Sequence, residues 1–154
     1  MKRHILAVVV SVLVAVTTRA ASTLDVYWVD VEGGAATLMV TPAGQSILID
    51  TGNPGTRDAG RIHEVATKLA KLKKIDFLIT THFHGDHFGG AATLAQLMPI
   101  GIVNDNGIPR RNPDRNRQDP AFILKVRPYR SMKVDSRVVV KPGHQLPLKQ
   151  VTGT

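Results

Sequence analysis

The chain has 154 residues, carries 20 Lys and Arg against 12 Asp and Glu, and contains no cysteine. That length holds one domain and excludes a pair of full-sized ones. The lack of cysteine excludes a disulfide framework, a thiolate zinc site and a cysteine nucleophile, so any metal must be held by His, Asp, Glu or backbone oxygen.

Lys2 and Arg3 precede an apolar run from Ile5 to Val16 that is broken only by Ser11, and Thr17, Thr18, Arg19, Ala20 and Ala21 follow. A basic start, a short apolar stretch and a small-residue exit make the pattern of a secretory signal peptide over residues 1–20, with cleavage expected near Ala20. The run falls short of the roughly 20 apolar residues that a membrane-spanning helix needs. No stable membrane span is therefore expected after cleavage, and residues 21–154 are expected to be exported, to the periplasm or the medium. Removal of Lys2, Arg3 and Arg19 leaves 17 basic side chains against 12 acidic ones. The excess gathers between Arg110 and Arg137, which includes Arg111, Arg115, Arg117, Arg127 and Arg130. A nucleic-acid partner is one reading of that stretch, but a solvated surface is favoured, because no aromatic residue lies between Pro109 and Pro120 to stack on bases.

Along the mature chain, Leu24–Val31, Ala36–Thr41 and Gln45–Asp50 read as three strands joined by tight turns at Glu32-Gly33-Gly34 and Pro42-Ala43-Gly44. They predict an antiparallel meander. Thr51–Gly60, with three Gly and one Pro, reads as loop. Ile62, Val65, Ala66, Leu69 and Leu72 recur at helical spacing and predict a helix over Arg61–Leu72. Ile75–Thr80 is a short apolar strand, Thr81–Gly90 a loop, Ala91–Met98 a short helix and Ile100–Asn104 another strand. Residues 105–120 form a polar loop. Ala121–Arg127 predicts a helix that ends near Pro128, and Arg137–Lys141 a last strand. Strands followed by alternating helices and strands predict an α/β layered fold with a mixed sheet.

Three of the six histidines fall within six residues, as His82, His84 and His87, with Asp86 beside the last. The pattern H-x-H-x-D-H follows an apolar strand and precedes a helix. His82 and His84 are two residues apart, so an extended segment projects both to one side, where they can share one ion. Gly85 lets the chain turn, and Asp86 and His87 can then hold a second ion. Imidazole and carboxylate ligands suit one or two Zn²⁺ ions first, with Mn²⁺ or Fe²⁺ as alternatives. Asp86 is the candidate catalytic residue as well as a ligand. Asp50 ends its strand, where a buried carboxylate needs a partner. It serves either to brace the histidine loop or to close a local turn.

The segment Leu48-Ile49-Asp50-Thr51-Gly52, followed by Thr81-His82-Phe83-His84-Gly85-Asp86-His87, resembles the metallo-β-lactamase superfamily. Asp25–Pro42 is similar in particular to the hydrolase domain of competence-type DNA-uptake proteins. The resemblance implies the first half of an αβ/βα sandwich with a one- or two-metal site at the sheet edge. It implies that His82 and His84 serve one ion, that Asp86 and His87 serve the other, and that Asp50 braces the loop. A metal-activated water would attack a small-molecule or phosphodiester substrate.

The family completes its site with a third histidine, a bridging carboxylate and a final histidine from its second half. After His87 this chain has only His144, in Pro142-Gly143-His144, a turn setting that does not suggest a ligand. Residues 21–154 therefore read as a partial, truncated domain, in which Ile47, Ile49, Phe77 and Ile79 would lack cover. A metal-dependent hydrolase, weak in metal binding and catalytically poor as this chain stands, is the leading expectation. A non-catalytic metal-binding half-site and an exported nuclease or phosphodiesterase are the alternatives. The oligomeric state is left open.

Overall fold

A computed structural model describes residues 23–112 and 120–150. The proposed signal peptide lies outside the described residues, as do Arg115 and Arg117. Among the described residues no helix is long and apolar enough to cross a membrane.

Six strands form one sheet in chain order. β1 (Asp25–Trp28), β2 (Thr37–Val40) and β3 (Ser46–Ile49) make the antiparallel meander. β4 (Ile75–Ile79), β5 (Ile100–Asp105) and β6 (Ser136–Val139) then add in parallel, each beside the strand before it. The parallel crossovers carry helices: α1 (Thr56–Glu64), α2 (Gly85–Phe88), α3 (Ala91–Leu97) and α4 (Pro120–Ser131). Because each crossover steps the same way and such connections are right-handed, the helices share one face. The mixed α/β sheet with an antiparallel start is the fold that the sequence predicts.

Pairing aligns Leu38, Leu48, Leu78 and Val103 in one row across four strands, and all four are fully buried. They share a core with Ala59 and Ile62 of α1, Phe88 of α2, Leu94 of α3, and Phe122, Val126 and Tyr129 of α4. Burying a Leu- or Phe-sized side chain contributes about 1.5–3 kcal/mol, so this row and its helical cover are the main source of cohesion. Ile47 and Phe77 lie outside that core and yet are buried, while Ile49 and Ile79 are half-buried. The expectation that all four would lie uncovered is thus corrected for the first two. Beyond β6 the chain returns from the sheet's outer edge to the start of β3, where the Lys149 N–H donates to Gln45 Oε1 at 2.6 Å.

Three helical features depart from the sequence reading. The first helix starts at Thr56 rather than Arg61, because Asp58 supplies the organising contacts. Its carboxylate accepts the Asn53 N–H at 2.8 Å and the Asn53 side-chain amide at 3.1 Å, and it pairs with Arg57. Burial alone would raise the Asp58 pKa, but these bonds hold it below the ordinary carboxylate value. The same helix closes in a π-helical turn over Val65–Leu69, where the Ala70 N–H reaches the Val65 carbonyl at 2.9 Å. Finally, α4 runs through Pro128 to Ser131. A proline inside a helix removes one hydrogen bond and costs about 3 kcal/mol. Here the burial and bonding of Tyr129, the next residue, offset that loss. Arg137, counted above as part of a basic surface, turns inward instead, with Nη2 donating to the Tyr129 carbonyl at 2.5 Å.

Candidate metal centre

Asp50, Thr80 and Asp105 follow or end the three neighbouring parallel strands β3, β4 and β5, so their side chains gather at one edge of the sheet. Asp50 sits in the left-handed region at φ 59. That conformation is costly for residues other than Gly, and an Asp tolerates it because its carboxylate bonds locally. Asp50 is only 2% exposed, and three donors converge on it. The Thr81 N–H reaches Oδ1 at 2.8 Å, the Thr81 hydroxyl reaches Oδ2 at 2.7 Å, and His87 Nδ1 lies 2.8 Å from Oδ2.

These bonds assign the ring protons. A carboxylate accepts, so His87 Nδ1 carries a hydrogen and Nε2 is the nitrogen left to face a ligand. The Thr81 hydroxyl spends its one proton on Asp50. Its oxygen therefore accepts from His82 Nδ1 at 3.0 Å, which leaves His82 Nε2 as the lone-pair nitrogen. Burial and the neighbouring His87 and His84 imidazoles hold His82 below the ordinary imidazole pKa, against the pull of Asp50 and Asp86. The neutral ring so favoured is the form that can ligate a metal.

His82 Nε2 and His84 Nδ1 stand 3.1 Å apart. Two nitrogens on one tetrahedral zinc ion, each at about 2.05 Å, stand about 3.3 Å apart. The second pair is His87 Nε2 and Asp86 Oδ2, 3.8 Å apart. The His82 and His87 rings approach within 4.0 Å, so the pairs are neighbours. Among the described residues no three His, Asp or Glu side chains close on one point. The chain presents two pairs, a donor set that fits partial coordination of one or two hard or borderline ions. His144 is exposed in its turn and joins neither pair.

The loop predicted over Thr81–Gly90 contains a helical turn, α2, which sets Asp86 and His87 on successive positions. The surrounding backbone is packed without slack. The Thr51 N–H and hydroxyl both donate to the His87 carbonyl, at 2.6 and 3.1 Å. The Ala35 N–H donates to the Asp86 carbonyl at 3.2 Å, and a β-carbon on Gly34 would collide with that same oxygen. Glycine at 34 is therefore a steric requirement of the site, which the sequence reading took only as a turn. The buried Thr80, Asp105 and Tyr129 were also not foreseen. They come from three separate elements, and no local spacing marks them.

A hollow of about 620 Å³ beside α4 is lined by Arg110, Phe122, Arg127 and Arg130 among others, and it contains neither carboxylate nor imidazole. The candidate centre is thus the strand-edge loop.

Comparison with known proteins adds to this geometry. The family model of the metallo-beta-lactamase superfamily matches residues 29–145. The chain is 39% identical over 87 residues to a UPF0173 metal-dependent hydrolase of Cupriavidus metallidurans, a match covering 54% of this chain and 27% of that protein. It is 31% identical over 111 residues to an atrochrysone carboxyl ACP thioesterase of Passalora fulva, covering 72% and 31%. It is 35% identical over 91 residues to metallo-beta-lactamase domain-containing protein 1 of Rattus norvegicus, covering 53% and 36%. The chain thus spans between 27% and 36% of the length of these relatives. The match over residues 29–145 takes in the whole strand-edge site, and the chain belongs to the metallo-beta-lactamase superfamily.

Proposed function

We propose that this chain carries the metal-gripping part of a metal-dependent hydrolase, with zinc as the preferred ion and manganese or iron as alternatives. The observation that carries the reading is the approach of two imidazole nitrogens, His82 Nε2 and His84 Nδ1, to 3.1 Å, in a loop where the Nδ1 atoms of His82 and His87 are held by the Asp50–Thr81 network. His82 and His84 would hold one ion, and Asp86 and His87 a second. When bound, such an ion supplies Lewis acidity and makes water acidic enough to serve as a nucleophile near neutral pH.

The protein's own part is orientation and proton handling. Asp50 fixes His87 directly and His82 through Thr81, so both rings keep one tautomer. The Asp86 side chain is 40% exposed, against 2% for Asp50. It is the carboxylate of the loop placed to accept a hydrogen bond or a proton from a water or a substrate hydroxyl. The substrate class we propose is a small ester, thioester or phosphodiester. A thioesterase and metal-dependent hydrolases among the relatives support it. We also propose export, on the n-h-c pattern of residues 1–20.

The test is zinc and cobalt uptake by the purified chain, beside hydrolysis of generic esters, thioesters and phosphodiesters, for wild type, His84→Ala and Asp86→Ala. The expected result is metal uptake in wild type with weak metal-dependent turnover at most, and loss of both in the variants. Uptake without turnover would replace the hydrolase by a metal-binding half-site. No uptake at all would overturn the reading.

A further inference from the structure

Two sets of buried groups flank the strand end that carries the histidine loop. On the β3 side stands Asp50. On the β5 side stands a second network that the proposed chemistry does not use. The Tyr129 hydroxyl, in a side chain 1% exposed, lies 2.9 Å from Asp105 Oδ2 and 3.0 Å from Thr80 Oγ1. Asp105 is itself 5% exposed, and its Oδ1 accepts the Gly107 N–H at 2.8 Å. Burial pushes the Tyr129 phenol well above its ordinary pKa, so it remains a donor. Arg137 fixes the tyrosine from behind, with its guanidinium 4.9 Å from the ring centroid and Nη2 on the Tyr129 carbonyl.

The Tyr129 ring also touches the loop itself. Phe83 stands between His82 and His84, and its ring packs edge-on against Tyr129 at 5.3 Å. Phe88 directly follows His87, and its ring packs on Tyr129 at 5.6 Å. Each ligand pair thus has an inward-pointing phenylalanine as its neighbour in sequence, and both phenylalanines rest on one tyrosine. Packing alone would need only a phenylalanine at 129. The hydroxyl is a buried polar group whose bonds run to Thr80 and Asp105, and an arrangement of that kind is costly unless fully satisfied.

We infer that Tyr129 and Asp105 are positioning residues for the metal-holding loop, acting through Thr80, Phe83 and Phe88 from the β5 side as Asp50 acts through Thr81 and His87 from the β3 side. The inference rests on the reading of His82, His84, Asp86 and His87 as metal ligands. It adds that the geometry of the pairs is set jointly from two strands and from α4.

The experiment measures cobalt affinity and the visible cobalt spectrum of the full chain. Metal-free imidazole nitrogen shifts of His82 and His84 provide a readout that needs no ion. Tyr129→Phe keeps the ring and removes the hydroxyl. Thr80→Val removes only the Thr80 hydroxyl and leaves the Tyr129–Asp105 bond, so it keeps the test alive if the first variant does not fold. Both are expected to weaken cobalt binding about tenfold or more, the usual cost of losing a group that orients a ligand, and to alter the spectrum and the imidazole shifts. Thr80→Ser should restore all three. Ile62→Val, in the core of α1 away from the loop, should lower thermal stability and leave cobalt binding unchanged. Wild-type cobalt affinity, spectrum and shifts in Thr80→Val would overturn this inference alone. Failure of the wild-type chain to bind cobalt would overturn the metal reading and this inference with it.

Discussion

Asp50 is the organising side chain of the strand-edge site. Three donors reach one buried carboxylate, and a carboxylate has oxygen lone pairs enough for all of them. An amide has one acceptor oxygen and a competing NH₂. Asp50→Asn should therefore leave at least one of these donors unpaired, at about 1–3 kcal/mol of stability, and should weaken metal binding about 10–100-fold. Competition titration against a zinc indicator, with urea unfolding in parallel, measures both; unchanged metal affinity would remove Asp50 from the site. Asp50 was legible in the sequence because it ends an apolar strand thirty residues before a dense histidine motif. The reach of its influence was not legible. That depends on Thr81, whose hydroxyl proton fixes the His82 tautomer, and a threonine next to a histidine carries no pattern of its own.

Among the elements, the strands were legible to within a residue or two at each end, apart from β1, which stops at Trp28 rather than Val31, since short β-branched runs bounded by Gly and Pro leave few alternatives. The helices were harder. Thr56–Gly60 reads as loop because nothing local announces that Asn53 and Arg57 will satisfy Asp58. Pro128 reads as a stop because its gain, a buried Tyr129 bonded to β4 and β5, is tertiary. A similar long-range polar contact joins the starts of β3 and β4. Asp76 accepts the Ser46 N–H at 2.9 Å and the Ser46 hydroxyl at 3.1 Å, and pairs with Lys74 at 2.8 Å. Burial pushes the Asp76 pKa up, but the Lys74 and Ser46 bonds outweigh it and hold the group below its ordinary value of 3.8. A folded-state pKa below the unfolded one means stability that is present above about 3.8 and lost as pH falls through the folded value. Urea melts at pH 5 and pH 3 should show that loss in wild type. They should show a smaller loss in Asp76→Asn, though not none, because Asp58 is also held low. An equal loss in both chains would mean that the β3–β4 contact has no part in the acid response.

At the scale of the whole molecule the two sheet faces differ. One carries the helices and the buried row from Leu38 to Val103. On the other, Trp28 is 80% exposed and shares a row with half-buried Ile49 and Ile79. It is the only tryptophan in the chain, so its fluorescence reports that face without interference. The folded chain should emit as a hydrated indole and be quenched by iodide nearly as well as the unfolded chain. A blue-shifted, protected tryptophan would show that the face is covered in solution.

Strand order equal to chain order has a kinetic consequence. Each strand pairs with the one made just before it, so the sheet can grow at a single edge as the polypeptide emerges, with no strand waiting for a distant partner. The histidine loop leaves β4 with Asp50 already in place beside it. Its second support arrives only after β5 and α4, some forty residues later. During synthesis, then, the loop passes through an interval in which it is held on one side and its histidines can still rearrange. If the loop holds metal as proposed, capture at full strength would belong to the end of that interval, once Tyr129 packs on Phe83 and Phe88.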